Sequence, residues 1–121
     1  DRLHGQSGND RILGSRGRDR INGGGGSDRI RGDSSRDRVN GDSGSDRING
    51  GSGNDVLRGN SGNDRIVGST GRDFLSGGSG RDRLLARDRK RDRVRCGTGF
   101  DRVVADRGDR VSRDCERVRR R

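Results

Sequence analysis

Residues 51–67 read GSGNDVLRGNSGNDRIV, and they carry one short pattern twice. In each copy a Gly-rich segment ends in an Asp, and an aliphatic residue follows two positions later. Asp55 with Leu57 forms the first pair, and Asp64 with Ile66 forms the second. Because the two pairs lie nine residues apart, the stretch predicts a structure built from nine-residue units.

The pattern extends over nine consecutive units, from Gly5 to Leu85. Position one is always Gly, and position four is Gly in every unit except one, where Ser35 replaces it. Position eight is always aliphatic, and residues 1–4 match the end of a tenth unit. Position six is always Asp, and these residues are Asp10, Asp19, Asp28, Asp37, Asp46, Asp55, Asp64, Asp73 and Asp82. Random low-complexity sequence does not keep four positions in phase, so the repeat is the organising feature of the chain.

The composition excludes a conventional hydrophobic core. The 121 residues are 21% hydrophobic and 40% charged, with a formal net charge of +10. About one residue in nine can be buried, which is too little apolar surface to offset the entropy lost on ordering the chain. No apolar run approaches the length of a membrane span. Something besides the core must therefore hold the fold.

The unit itself predicts an all-β solenoid. Positions seven to nine suit a three-residue strand whose middle side chain points inward, and the six preceding residues form a turn. We expect Gly at positions one and four to adopt positive φ and to leave room for converging carbonyls. Successive units then alternate between two facing sheets, so that one coil takes eighteen residues and stacked coils lie about 4.8 Å apart.

This geometry places the Asp residues in two columns, one along each row of turns. Stacked carboxylates repel each other unless a cation lies between them. Ca²⁺ accepts carboxylate and carbonyl oxygens in flexible geometry, whereas zinc favours His or Cys, and the chain has a single His, His4. The columns therefore indicate calcium.

Residues 50–58 and 77–85 match the nonapeptide Gly-Gly-x-Gly-x-Asp-x-apolar-x at every fixed position. Over residues 1–85 the chain resembles the RTX, or hemolysin-type, calcium-binding nonapeptide repeat proteins. The resemblance implies a parallel β-roll, with two short strands and two calcium-binding turns per coil. It also implies Ca²⁺ held between neighbouring coils by turn carbonyls and by the nine Asp side chains, with Asp1 as a half-site. Four intervals in each column give up to about eight ions. A flexible linker is disfavoured, because linkers do not keep an aliphatic residue at every ninth position.

The phase of the repeat breaks after Leu85, and we expect residues 86–121 to form a C-terminal cap on the β-roll of residues 1–85. Asp92 and Asp101 lie in this degenerate part, where we do not expect full calcium sites. Cys96 and Cys115 are the only cysteines, which favours one disulfide over two inert thiols and indicates an oxidising compartment. A cap of this kind is similar to those of calcium-repeat proteins secreted by Gram-positive bacteria, so we expect a secreted, extracellular bacterial protein.

Arginine occupies position seven in seven of the nine units. Five of them form a predicted ladder on one face: Arg11, Arg29, Arg47, Arg65 and Arg83. Such a ladder could attract polyanions, either cell-wall polymers or nucleic acid. Alternatively, each Arg partly neutralises the neighbouring Asp and keeps the sheet soluble. Two aromatic residues, Phe74 and Phe100, provide no row of base-stacking platforms.

No constellation of residues predicts catalysis. His4 is an outward strand residue, and no Ser or Cys has a base partner at a recognisable spacing. We therefore predict a non-enzymatic, calcium-dependent module with a structural or surface-binding role. The alternative is that the repeats are an appendage of a secreted enzyme domain that precedes Asp1.

Overall fold

The computed structural model describes residues 1–121 as two parallel β-sheets. No helix in it is long and apolar enough to cross a membrane. The fourteen strands are β1 (Arg2–His4), β2 (Arg11–Leu13), β3 (Arg20–Gly25), β4 (Arg29–Ser34), β5 (Arg38–Ser43), β6 (Arg47–Ser52), β7 (Val56–Ser61), β8 (Arg65–Thr70), β9 (Phe74–Ser79), β10 (Arg83–Ala86), β11 (Arg93–Thr98), β12 (Arg102–Ala105), β13 (Arg110–Val111) and β14 (Arg117–Arg120).

Strands alternate strictly between the two sheets. The first sheet contains the seven odd-numbered strands in chain order, and the second sheet contains the seven even-numbered strands. Within the repeats each strand pairs in parallel with the strand eighteen residues later; Ile21, for example, lies opposite Val39 in the first sheet. In the second sheet Ile30 lies opposite Ile48 in the same way. The predicted parallel β-roll with an eighteen-residue coil is confirmed.

The strands are longer than the predicted three residues. Each strand from β3 to β9 has six residues and includes positions one to three of the following unit. Beyond the apolar position, Gly24 still pairs with Asp42 and Gly25 with Ser43. The turn is therefore confined to positions four to six, because parallel pairing between coils continues into the glycine-rich segment.

The core is a single row of side chains between the two sheets. It contains thirteen buried residues: Ile21, Ile30, Val39, Ile48, Leu57, Ile66, Leu75, Leu84, Ala86, Val94, Cys96, Val103 and Ala105. At the N-terminal end Leu3 and Ile12 are only partly buried, because they have a neighbouring coil on one side only. The position-eight residues thus supply the core, as their period predicts.

Residues 86–121 continue both sheets with altered spacing. Arg83 pairs with Arg102, nineteen residues later, whereas Arg102 pairs with Arg117, fifteen residues later. The predicted disulfide is present, with the Cys96 and Cys115 sulfurs 1.99 Å apart. This bond ties the loop before β14 to the buried Cys96 of β11.

Candidate metal sites along the turns

Position six brings the predicted Asp ligands to the end of each turn, immediately before the strand. From Asp19 to Asp82 these side chains are buried, while Asp10 is half-buried and Asp1 is exposed at the end of the stack. Asp residues eighteen apart lie against one another, as the hydrogen bonds between them show. The structure thus brings the nine predicted residues together in two columns.

From Asp19 onward, one oxygen of each position-six carboxylate helps to hold the coils together. The backbone N–H of Asp46 donates to Oδ1 of Asp64 at 2.8 Å, and the backbone N–H of Asp37 donates to Oδ1 of Asp55 at 2.8 Å. The same bond recurs along both columns. Position-six Asp is therefore a structural residue as well as a candidate ligand, which the sequence pattern did not reveal.

The second oxygen of each carboxylate is buried and has no hydrogen-bond partner. This holds for Oδ2 of Asp10, Asp19, Asp28, Asp37, Asp46, Asp55, Asp64, Asp73, Asp82, Asp92 and Asp101. A buried charged oxygen without a partner is costly, and proteins normally pair such groups or bind metal with them. The two columns therefore present a regular series of oxygens that require a cation or a proton.

Glycine at position one is needed for space and not for positive φ. A Cβ on Gly23 would lie 2.5 Å from Oδ2 of Asp28 and 2.7 Å from the carbonyl oxygen of Gly41. A carboxylate oxygen and a backbone carbonyl of the next coil thus converge beside Gly23. The prediction of positive φ at this position is wrong, because the position-one residue belongs to the strand.

Positive φ occurs instead at positions two and four. Position four behaves as predicted, and Ser35 there has a φ of 79°. Position two was not predicted, because Gly occupies it in only three of the nine units and the others hold residues such as Asp42 (φ 72°) and Asn60 (φ 75°). Gly, Asn and Asp enter the left-handed region more readily than most residues, so their presence at position two in six of the nine units was the available signal.

Burial raises the pKa of several of these carboxyl groups. The pKa of Asp64 rises to about 7 and that of Asp46 to about 6, from an ordinary value of 3.8. Loss of hydration is the largest cause, neighbouring carboxylates add to it, and the backbone N–H bond from the preceding coil opposes it. Burial likewise raises the pKa of Asp73 to about 7. A divalent cation would remove this penalty by neutralising the ionised carboxylates.

The carboxylate and carbonyl oxygens of the turns suit a hard cation. Ca²⁺ takes six to eight oxygen ligands from carboxylates and carbonyls, and the turns offer both. Sulfur ligands are not offered, because the cluster of Cys96, Cys115 and Asp114 has its two sulfurs joined in the disulfide. The residues present therefore fit calcium, with Asp Oδ2 and position-one carbonyl oxygens as the atoms that would hold it.

In residues 86–121 the Asp columns continue but the position-one glycines do not, although Gly97 and Gly99 keep positive φ at positions two and four of the turn before Asp101. Asp92 and Asp101 accept the N–H groups of Asp73 and Asp82 at 2.8 Å. Ala86 and Cys96 take the register positions that position-one glycines take in the repeats. A side chain thus replaces the hydrogen of a position-one glycine at both places. That these two turns lack full calcium sites stays a prediction.

Asn at position five forms a further ladder that sequence reasoning missed. Oδ1 of Asn54 accepts the N–H of Arg72 at 2.8 Å, and Asn63 makes the same bond with Arg81. In the first such pair Asn9 accepts the N–H of Ser27. The recurrence of Asn at position five was the signal for these contacts between coils.

Comparison with known families adds one match. The RTX calcium-binding nonapeptide repeat matches the chain in four overlapping copies, at residues 1–30, 22–57, 31–66 and 58–88. No curated protein and no solved structure matches the chain. The four copies cover residues 1–88 without a gap and coincide with the coils that carry the open carboxylate columns. The chain therefore belongs to the family of RTX calcium-binding nonapeptide repeat proteins.

Proposed function

We propose that this chain is a secreted, non-catalytic module that binds several Ca²⁺ ions along its turns and folds as it binds them. The ligands in this proposal are the nine position-six carboxylates and the turn carbonyls, with Asp1 as a half-site. The observation that carries the proposal is that the Oδ2 atoms of all nine position-six Asp residues are buried without a partner. A cation between coils would satisfy these oxygens and join each coil to the next.

Binding is coupled to folding in this proposal because little else stabilises the apo protein. The core is one residue wide, the chain contains 24 Gly, and the ionised Asp columns repel themselves. When a binding site does not exist in the unfolded chain, the free energy of metal binding becomes free energy of folding. We therefore expect the apo chain to be unfolded near neutral pH.

We propose up to about eight ions, four along each column. The net charge of +10 opposes each binding event, which places the affinity in the roughly 10⁻⁴–10⁻³ M range of extracellular calcium modules. Calcium outside cells lies near that range, whereas cytosolic calcium is far lower. The chain would then stay unfolded inside the cell and fold outside. A disulfide fits the same extracellular location.

We propose that residues 1–85 form the calcium-binding β-roll and that residues 86–121 form its C-terminal cap. The Cys96–Cys115 bond and the register shifts support a cap that does not depend on calcium alone. The role is structural or surface-binding, either as a free module or as an appendage of a secreted enzyme domain before Asp1.

Polyanion binding is the second candidate function, and the ladder on the second sheet favours it. Arg102 and Arg117 extend the ladder, because they lie in register with its last predicted arginine, Arg83. No arginine of the ladder forms an ion pair; the two ion pairs of the protein are Arg31 with Asp33 and the N-terminus with Asp19. The charges of the ladder are therefore available to a ligand.

Circular dichroism during a calcium titration tests the main proposal. We expect a cooperative gain of β-signal with Ca²⁺, complete reversal by EDTA, and little response to Mg²⁺. Isothermal titration calorimetry then counts the ions. A β-signal that persists in EDTA at neutral pH, or that Mg²⁺ induces equally well, would contradict calcium-driven folding.

A further inference from the structure

The first sheet carries a groove that arginine lines on both sides. The groove has a volume of about 510 Å³ and runs between the turns and the sheet face. Position-five side chains form its turn side, and strand-initial position-seven side chains form its sheet side. Its six arginines are Arg36, Arg72 and Arg91 on the turn side, and Arg38, Arg93 and Arg110 on the sheet side. We call this the arginine groove.

Over residues 9–65 the corresponding groove on the second sheet is basic on one side only. It has a volume of about 580 Å³, and its sheet side carries the ladder arginines. Its turn side carries neutral residues, among them Asn9, Ser27 and Ser45. A ligand in the arginine groove would thus meet guanidinium groups from two directions, whereas a ligand on Arg11, Arg29 and Arg47 would meet them from one. Farther along the second sheet a single turn-side arginine, Arg81, faces the ladder.

The positive charge of the arginine groove is not neutralised from within the protein. All six arginines are exposed, and none forms an ion pair. The carboxylates along its floor are those of Asp55, Asp73 and Asp92. They offer no accessible oxygen, since each Oδ1 accepts a backbone N–H and each Oδ2 is buried. The groove is therefore a concentrated cationic site that faces solvent.

The length of the groove indicates a linear ligand. Arg38, Val56, Phe74, Arg93 and Arg110 lie on successive strands of the first sheet. Four strand intervals span about 19 Å, so one small anion cannot contact both ends. Guanidinium groups bind phosphate oxygens in forked pairs, which suits a chain of phosphates.

Base stacking does not contribute at this site. The Phe74 ring already contacts Arg58 and Arg95, whose guanidinium carbons lie 5.8 and 5.9 Å from its centroid. We propose that the arginine groove binds a linear phosphodiester polymer through its phosphates alone. This inference deepens the second candidate function above and assigns it to a surface other than the ladder.

Two variants with equal loss of charge test the proposal. The groove variant is Arg36→Gln/Arg72→Gln/Arg91→Gln, and the ladder variant is Arg29→Gln/Arg47→Gln/Arg65→Gln. The probe is a fluorescently labelled abasic phosphodiester oligomer, followed by anisotropy in calcium at low salt. Circular dichroism first establishes that each variant is folded. We expect the groove variant to lose about tenfold or more in affinity and the ladder variant to lose much less.

Two further measurements test whether the ligand must be a linear polymer and whether its bases are unnecessary for binding. We expect dimethyl phosphate to compete only weakly, and a base-bearing single strand of equal length to bind within about threefold of the abasic probe. If the groove variant does not fold, the same three positions changed to Lys keep the charge and remove the guanidinium fork, and we still expect weaker binding.

Three results would overturn the assignment. An equal loss of affinity in both variants would show that the net charge of the protein alone attracts the oligomer. If only the ladder variant loses affinity for the oligomer, the protein binds polyanions on the second sheet and not in the arginine groove. Absence of binding by the unchanged protein at low salt would remove polyanion binding altogether, while leaving calcium-driven folding untouched.

Discussion

Asp64 accepts the backbone N–H of Asp46 through Oδ1 at 2.8 Å, whereas its Oδ2 is buried without a partner. One carboxylate thus links two coils and also presents an oxygen to whatever lies between them. The two functions are separable by substitution, because an amide keeps one oxygen and loses the other.

Asp64→Asn should retain the bond from Asp46 and weaken calcium binding. The amide oxygen still accepts the N–H, but the NH₂ group that replaces Oδ2 cannot bind a cation. We expect the affinity of the altered turn to fall on the order of tenfold, measured as a higher calcium midpoint by circular dichroism. Asp42→Asn removes the same charge at position two, outside the column, and serves as the control. Equal shifts in the two variants would show that only net charge matters.

In EDTA the residual β-structure should decrease as pH rises. Burial raises the pKa of Asp64 and Asp73 to about 7 and that of Asp46 to about 6. Because these values exceed the unfolded value of 3.8, the folded apo state binds protons more tightly than the unfolded chain. Its stability is therefore greatest below about pH 4 and is lost as pH rises to about 7.

Circular dichroism in EDTA at about pH 5 and about pH 8 measures this effect, with the larger β-signal expected at the lower pH. Saturating calcium should reverse the trend, since the ion requires ionised carboxylates. An apo signal that is independent of pH would mean that the buried carboxylates do not limit folding.

Ser35→Gly should stabilise the calcium-loaded protein. Ser35 has a φ of 79°, where a Cβ is strained, and relief of this strain is worth about 1 kcal/mol. The expected result is a higher melting temperature. Ser27→Gly is the control, because Ser27 lies outside the positive-φ positions and its change should lower stability through greater freedom of the unfolded chain. A Ser35→Gly protein that melts no higher than the parent would remove the strain argument.

Reduction of the Cys96–Cys115 bond should loosen residues 86–121 before it affects the repeats. The bond joins residues nineteen apart, and closure of such a loop is worth about 3 kcal/mol in the chain-entropy model. Hydrogen exchange with and without reductant in calcium should show faster exchange in β12 and β14, and little change in β5 to β8. Uniform loss of protection over the whole chain would instead make the cap essential to the entire solenoid.

Much of this molecule follows from its nine-residue period alone. Because side chains alternate across a strand and coils repeat every eighteen residues, the period predicts the two parallel sheets, the row of Ile, Val and Leu, and the two Asp columns. The family was identified separately, by the resemblance of residues 50–58 to the calcium-binding nonapeptide. The six-residue strands were not predictable, since pairing through positions one to three depends on the backbone of the neighbouring coil.

Only the tertiary structure decided how each carboxylate divides its two oxygens, because the donor for Oδ1 of Asp64 lies on Asp46, one full coil away. It also decided that Gly23 is required for room beside Asp28 and not for positive φ. The arginine groove is a further case: Arg36 and Arg110 line opposite ends of one channel only because five strands of the first sheet stack in register through the irregular spacing after Leu85. Spacing along the chain determines what repeats, whereas contact between coils determines which atoms remain free to bind a ligand.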